Sequence, residues 1–242
     1  MQLKVFGKGF NFSQDGPGNR LVYHLKGCNM HCPWCSNPEG MLCDVGDFYI
    51  LTKDELLSEV LLSKPMFFEG GGVTFTGGEA TIQFDSLFEI IKALKENDIS
   101  VAIETNGTSK KLSQLFPLLN HLIIDLKHPD SNKHKETTGI SNEIIKQNIL
   151  LAAKSGVDLL IRIPLIGGFN THPEELNRFI EFLKSIKGKN VKVEVLKYHE
   201  YGKDKWEKCG LEYKMKDAFV PEETRISFEE KIKSVGLTVI RT

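Results

Sequence analysis

A chain of 242 residues, 40% hydrophobic and 26% charged, is long enough to bury one large core, so the expectation is a single domain over residues 1–242. Its formal net charge of -1 excludes a nucleic-acid binder whose affinity rests on neutralising many phosphates. Residues 1–12 mix lysine, glycine and polar residues, and no later stretch reaches the length of a bilayer span, so no leader or membrane anchor is expected and the cytoplasm is the expected compartment.

From residue 21 onward, short β-branched or apolar runs alternate with longer amphipathic stretches, which is the rhythm of βα repetition. A strand is predicted over residues 21–25. Thr52, with Glu55 three residues on, then makes a capping box that opens a helix carrying Leu56, Leu57, Val60 and Leu61. A strand at 73–75 leads to a helix whose Phe84, Leu87, Phe88, Ile91 and Leu94 recur at three- and four-residue steps. Strands follow at 101–103, 122–124 and 159–163. Pro173 suits the first turn of a helix with Leu176, Phe179, Ile180 and Leu183 on one face. A strand at 191–196, a helix at 223–235 and a last short run at 237–240 complete the pattern. No linker, low-complexity tract or block of like charge interrupts it, so no domain boundary is placed.

Parallel strands separated by helices either close as a barrel or lie as an open doubly wound sheet, and periodicity does not separate the two. The strand ends favour a barrel-type mouth. The first runs into Lys26-Gly27-Cys28, the second into Thr76-Gly77-Gly78-Glu79, the third into Glu104-Thr105-Asn106-Gly107, the fourth into Asp125-Leu126-Lys127-His128, and the sixth leads to His199. Polar groups gathered at successive carboxyl ends describe one site assembled from several loops.

The chain has five cysteines, and three of them fall in Cys28-Asn29-Met30-His31-Cys32-Pro33-Trp34-Cys35, spaced CxxxCxxC just after a strand. That is a poor disulfide framework for a chain this long and a good metal site in a reducing compartment. A structural zinc site closes with four ligands; no second CxxC pair exists, and only Cys43 and His31 stand near as a fourth. An iron–sulfur cubane held by three cysteines leaves one iron open to a substrate or cofactor. Cys43 and Cys209 match no motif and read as non-ligating.

The cysteine motif resembles that of the radical S-adenosylmethionine superfamily, and the likeness runs from Phe12 to the carboxyl terminus. The segments Asp15-Gly16-Pro17-Gly18-Asn19-Arg20, Gly27 through Cys35 with Ser36-Asn37-Pro38-Glu39, Gly70-Gly71-Gly72-Val73-Thr74, Thr76-Gly77-Gly78-Glu79-Ala80, Asp125-Leu126-Lys127-His128 and Tyr198-His199-Glu200-Tyr201-Gly202-Lys203 resemble, in order and spacing, the activating enzymes of glycyl radical enzymes. The pyruvate formate-lyase activating enzyme is the best-known of that family. The resemblance implies a partial (β/α)6 barrel of the TIM-like type, open on one side. It implies one [4Fe-4S] cluster on Cys28, Cys32 and Cys35, with no ferredoxin-like insert, since the stretch after the motif is short and holds only Cys43. It further implies S-adenosylmethionine, cleaved reductively to a 5'-deoxyadenosyl radical that takes hydrogen from a backbone glycine of a partner enzyme, with flavodoxin or ferredoxin as electron donor. Neither nucleic acid nor membrane is an expected partner.

By the same resemblance, Gly77, Gly78 and Glu79 receive the cofactor's amino group, Lys127 its carboxylate or ribose, and Trp34, Ser36 and His199 its adenosine end, with Leu126 and His128 also among the cofactor-binding residues. Glu104, Thr105 and Asp125 make a candidate oxygen-lined site for a monovalent cation; the pyruvate formate-lyase activating enzyme carries aspartate where Glu104 stands. Asp15, Gly16, Pro17 and Gly18 are expected to meet the partner's glycine loop. Two other readings stand beside this one: a radical enzyme acting on a small molecule, like the 7-carboxy-7-deazaguanine synthases, and a noncatalytic metal-binding module.

Overall fold

The structure is a computed structural model that describes residues 1–42 and 46–242, so Cys43 lies outside the described residues. One sheet holds β1 (Gln2–Phe12), β2 (Asn19–Leu25), β3 (Tyr49–Thr52), β4 (Gly72–Gly77), β5 (Val101–Thr105), β6 (His121–Asp125), β7 (Asp158–Leu165), β8 (Val191–Lys197) and β9 (Thr238–Ile240). The helices are α1 (Lys53–Ser63), α2 (Phe84–Glu96), α3 (Ser131–Thr138), α4 (Glu143–Ser155), α5 (Pro173–Lys184), α6 (Lys203–Lys208) and α7 (Glu222–Ser234).

The strand order is β3-β1-β2-β4-β5-β6-β7-β8-β9, and from β2 to β9 every neighbour is parallel. The two ends, β3 and β9, do not pair with each other, so the barrel is partial, as the family resemblance implies. Every strand predicted from periodicity is present, and the Thr52–Glu55 capping box starts α1, with both reciprocal hydrogen bonds formed. Four elements of eight residues or more, or of pairing consequence, escaped the periodicity. β1 and β3 add an antiparallel flank, and α3 and α4 together span the crossover from β6 to β7.

The two faces of the sheet differ in kind. On β4, β5 and β7 the helix-facing positions are Val73 and Phe75, Val101 and Ile103, and Leu159, Ile161 and Ile163, all fully buried in the main apolar core. The alternate positions face the barrel interior and include Thr74 and Thr76, Glu104, and Arg162. A period-two alternation thus places apolar surface under the helices, which the hydrophobic effect stabilises, and turns ionisable groups inward. Strand ends on that inner face deliver the loops that build the site.

Those loops are fixed from behind. Buried Asn148 on α4 donates through Nδ2 to the carbonyls of Gly107 (2.8 Å) and Ser109 (2.9 Å), which ties the loop after β5 to a helix on the outer layer. Asn148→Ala leaves those carbonyls short of partners, and the expected cost is about 1 to 3 kcal/mol in urea unfolding. Unchanged stability would show that the loop is held by other contacts.

Candidate active site

The cysteine segment has no regular secondary structure of its own, and its main chain is held by five neighbours. The Gly27 N–H donates to the Gly40 carbonyl (2.8 Å) and the Cys28 N–H to Met41 (3.1 Å), both in or beside the 3-10 turn Pro38–Gly40. The Gly27 carbonyl accepts from the Glu79 N–H (2.7 Å), and the His31 N–H donates to Thr138 at the end of α3 (3.0 Å). Asn106 Nδ2 donates to Asn29 Oδ1 (2.8 Å), and Trp206 of α6 donates through its indole nitrogen to the Cys35 carbonyl (2.9 Å).

Cys28, Cys32 and Cys35 line one cavity of about 220 Å³ together with Thr76, Gly78, Lys127 and His199. Burial pushes the thiols up, Cys28 and Cys32 to about 12 and Cys35 to about 11. Near neutral pH bare thiols therefore stay protonated, and a cationic metal centre is what ionises them. Main-chain N–H groups of Met30 and Asn37 already point at the Cys28 and Cys35 sulfurs, each at 3.4 Å. Among the described residues, no three His, Cys, Asp or Glu side chains converge as ligands of a single ion do. Three thiols spread around one cavity fit a cluster, which offers each thiolate its own iron, better than they fit zinc.

Lys127, at the end of β6, reaches the cavity with Nζ 2.6 Å from Asp125. Burial works against its charge, but Asp125 and the nearby Cys32 and Cys35 outweigh burial and hold its pKa above the usual lysine value. His199 lines the cavity with its ring stacked on Tyr201 at 4.2 Å, and burial lowers its pKa, keeping it neutral. Trp34 and Ser36 line the same wall, and the Trp34 ring packs on Phe169 at 4.9 Å.

Several expected contacts are placed differently. Glu79 is buried, and its carboxylate faces the loop after β5, accepting from the N–H groups of Thr81 (2.9 Å) and Asn106 (2.6 Å) and from the Thr105 hydroxyl (2.6 Å). It joins two loops rather than lining the cavity. Gly77 and Gly78 do line it, but their bareness serves packing: a Cβ on Gly77 would stand 2.2 Å from the Leu25 nitrogen, and one on Gly78 2.3 Å from the carbonyls of Gly27 and Gly40. Leu126 is fully buried with its N–H on the Arg162 carbonyl (2.8 Å). His128 is buried behind the wall, accepting through Nδ1 from the Asp130 N–H (2.9 Å) and packing on Phe169.

The residues of the expected cation site are engaged with neighbouring side chains. Glu104 accepts from Thr76 (3.0 Å) and pairs with Arg162, Asp125 pairs with Lys127, and the Thr105 hydroxyl is committed to Glu79. Protein cations thus pair with both carboxylates of the expected cation site. Burial also pushes Glu104 up, against the pull of Arg162. Arg162 was not singled out from the sequence. It bridges Glu104, Glu194 (2.8 Å) and the Gln14 carbonyl (2.7 Å), so it joins three strands to the loop after β1.

That loop is anchored by its main chain. The Thr74 hydroxyl donates to the Asp15 carbonyl (2.7 Å), Arg20 to the Pro17 carbonyl (3.2 Å), and the Ser13 N–H to Gly18 (3.0 Å). Gly18 has φ of +71°, and a Cβ there would meet the Phe68 carbonyl at 2.4 Å, so only glycine fits. The Asp15 side chain, half-buried, meets only the Asn11 amide among the described hydrogen bonds. Cys209 is exposed at the end of α6, far from any role in the cavity lining.

The sheet is open on one side and carries three thiols after its first parallel strand, with the half-buried Lys127 lining the same cavity. Residues 22–183 match the model of the radical SAM superfamily, and the chain belongs to that family. As a member it is an enzyme that works with a [4Fe-4S] cluster and S-adenosylmethionine. It is 33% identical to the pyruvate formate-lyase-activating enzyme of Clostridium pasteurianum, over 91% of this chain and 93% of the relative. It is 29% identical to the 4-hydroxyphenylacetate decarboxylase activating enzyme of Clostridioides difficile (strain 630), over 84% of each. A solved domain of a pyruvate-formate lyase-activating enzyme from Bacteroides vulgatus ATCC 8482 superposes with a TM-score of 0.59 at 29% identity, over 71% of this chain and 98% of that one.

Glu79 gives a test that separates the two placements of its carboxylate. Glu79→Gln sets an amide against the N–H of Asn106 and should cost about 1.5 to 3 kcal/mol in urea unfolding, with a parallel fall in iron occupancy. Intact stability with weakened S-adenosylmethionine binding would instead put the carboxylate on the cofactor.

Proposed function

We propose that this protein is the activating enzyme of a glycyl radical enzyme. When bound, the cluster and S-adenosylmethionine supply one-electron chemistry that ends with a hydrogen atom moved from a partner's glycine Cα to the cofactor's 5' carbon. The observation that carries the reading is identity to such an activating enzyme across nearly the whole of both chains. The arrangement of the cavity supports it.

In this reading Cys28, Cys32 and Cys35 hold three irons and leave the fourth for the methionyl end of the cofactor. Lys127, oriented by Asp125, donates to the methionyl carboxylate or the ribose, and charge-assisted bonds of that kind are the strong ones. Neutral His199 and the main chain at Trp34 and Ser36 bound the adenosine end. Gly77 and Gly78 offer main chain to the amino group, while Glu79, Leu126 and His128 hold those loops from behind. The electron comes from a donor of the flavodoxin or ferredoxin class. Among the described residues no helix is long and apolar enough to cross a membrane, which accords with a cytoplasmic enzyme.

Cys28→Ala, Cys32→Ala and Cys35→Ala should each abolish the cubane by iron counting and electron paramagnetic resonance, whereas Cys209→Ala should retain it. Loss of the cluster in Cys209→Ala would overturn the ligand set.

The partner's glycine loop enters beside Asp15, Gly16, Pro17 and Gly18, because a carbon radical must be met at close range in a covered site. The test is glycyl radical formation on purified pyruvate formate-lyase and 4-hydroxyphenylacetate decarboxylase, read by electron paramagnetic resonance. Wild type should activate one of them. Asp15→Ala, which keeps every main-chain anchor of its loop, should preserve the cluster, cofactor affinity and melting temperature yet reduce radical yield on the partner strongly. A fully active Asp15→Ala enzyme would remove this loop from the docking site.

A further inference from the structure

The ladder between β6 and β7 ends before Lys127. The two strands pair from His121 opposite Asp158 to Asp125 opposite Arg162, and the Leu126 N–H still donates to the Arg162 carbonyl (2.8 Å). In a parallel ladder the following rung would bring the N–H of residue 164 to the carbonyl of residue 126. Residue 164 is proline and has no N–H to give. Lys127 therefore lies past the last rung, although its side chain lines the cavity.

Asn170 takes over where the ladder stops. It stands in the turn after β7, which closes as the N–H groups of Phe169 (3.1 Å) and Asn170 (3.2 Å) donate to the Ile166 carbonyl. The residue is fully buried, and its amide is engaged at every function. Oδ1 accepts from the Ile166 N–H (2.8 Å), while Nδ2 donates to the carbonyls of Lys127 (2.8 Å) and Pro164 (2.7 Å). One acceptor and two donors thus meet one N–H and two carbonyls, a set that aspartate, with no donor, and serine, with one, do not supply. The next carbonyl along, His128, is taken by Asn142 Nδ2 (2.7 Å), but the His128 ring sits behind the cavity wall, so that contact serves packing.

Lys127 is consequently held at both ends. Asp125 takes its ammonium at 2.6 Å, and Asn170, 43 residues further along the chain, takes the main chain at its root. A lysine stem is flexible, so fixing the head alone leaves the root free to shift and the head to follow it. A donor to a cofactor has to be held to a fraction of an ångström, by groups that do not themselves touch the cofactor.

We propose that Asn170 is a positioning residue of the cofactor site, whose side-chain amide replaces the missing rung after β6 and so sets where the Lys127 ammonium meets S-adenosylmethionine. The inference rests on the reading of Lys127 as a donor to the cofactor and adds what aims it. It does not depend on which partner the radical is passed to.

The experiment measures S-adenosylmethionine affinity by calorimetry on the anaerobic, cluster-loaded enzyme with no reductant, so that the cofactor stays whole. Lys127→Ala should weaken binding about tenfold, the effect of one charge-assisted hydrogen bond. Asn170→Asp should weaken it about as much, and Asn170→Ser, which keeps one donor, by roughly threefold. In the Lys127→Ala background each Asn170 change should cost less than about twofold, because residues that act through one another are not additive. Iron content and melting temperature, read on every variant, report general damage, which would fall alike in both backgrounds. If Asn170→Asp does not hold its cluster, Asn170→Ser decides the matter alone. Wild-type affinity in the Asn170 variants, or an equal loss with and without Lys127, would overturn the positioning role. If Lys127→Ala itself binds S-adenosylmethionine as wild type does, the reading of Lys127 fails and this inference with it.

Discussion

The structure depends on holding a loop that cannot hold itself. Between β2 and the 3-10 turn Pro38–Gly40 the chain carries three buried or half-buried thiols and forms no helix or strand. Buried main-chain groups without a ladder must find partners elsewhere or forfeit free energy. Here they find them on segments that other strands and helices deliver, Glu79 from β4, Thr138 from α3 and Trp206 from α6, while Asn106 from β5 holds the Asn29 side chain. The consequence is that the fold's own hydrogen bonds, and not the cysteines alone, set where the thiols stand.

The second constraint is charge inside a low-dielectric barrel. Arg162, Glu104, Glu194, Asp125 and Lys127 all project from the inner face, and an isolated charge there would be costly. They are arranged in pairs, with Arg162 shared between two carboxylates and the Gln14 carbonyl. The last residue joins in, since the N–H of Thr242 donates to Glu194 (2.9 Å). The floor of the cavity is therefore polar yet internally satisfied. That leaves the thiols as the groups whose charge a bound cluster would change, with Lys127 cationic throughout.

How much of this the sequence carries differs by element. The parallel strands and their helices were legible because apolar side chains recur with the period of the element that buries them. β1 was not: Gly-Lys-Gly in its middle and polar residues at alternate positions resemble a loop, and only pairing with β2 makes it a strand. α3, with Ser131, Asn132, Lys133 and Lys135, has almost no apolar face, and its start is set by Asp130 accepting from two N–H groups. In the site, motif spacing located the cysteines, Lys127 and His199. It did not give direction. Glu79 and His128 belong to matched segments yet turn away from the cavity, because a segment fixes which residues are near a site and packing fixes which way each points. Arg162 had a signal of its own, a lone charge inside the apolar run of β7, which in a buried strand requires a partner on the inward face.

An unclosed barrel has a cost that this fold accepts. Closing the sheet would satisfy every edge, and a long free edge invites association with other chains. The chain shortens that liability at one end, where β3 covers residues 2–5, and leaves the other end bare, with Phe10 and Phe12 exposed on the same strand. Had stability alone set the arrangement, a longer β3 would be the cheaper solution, since pairing adds hydrogen bonds and buries those rings. Instead the pairing with β3 stops at Val5, where a bulge at Phe6 begins. What the opening provides is width. A reactive centre that acts on a free small molecule can be sealed, but one that acts on the backbone of a folded protein needs a side entrance wide enough for a chain. In this sheet the open stretch is the flank of β1 beyond Val5, where β3 no longer pairs with it.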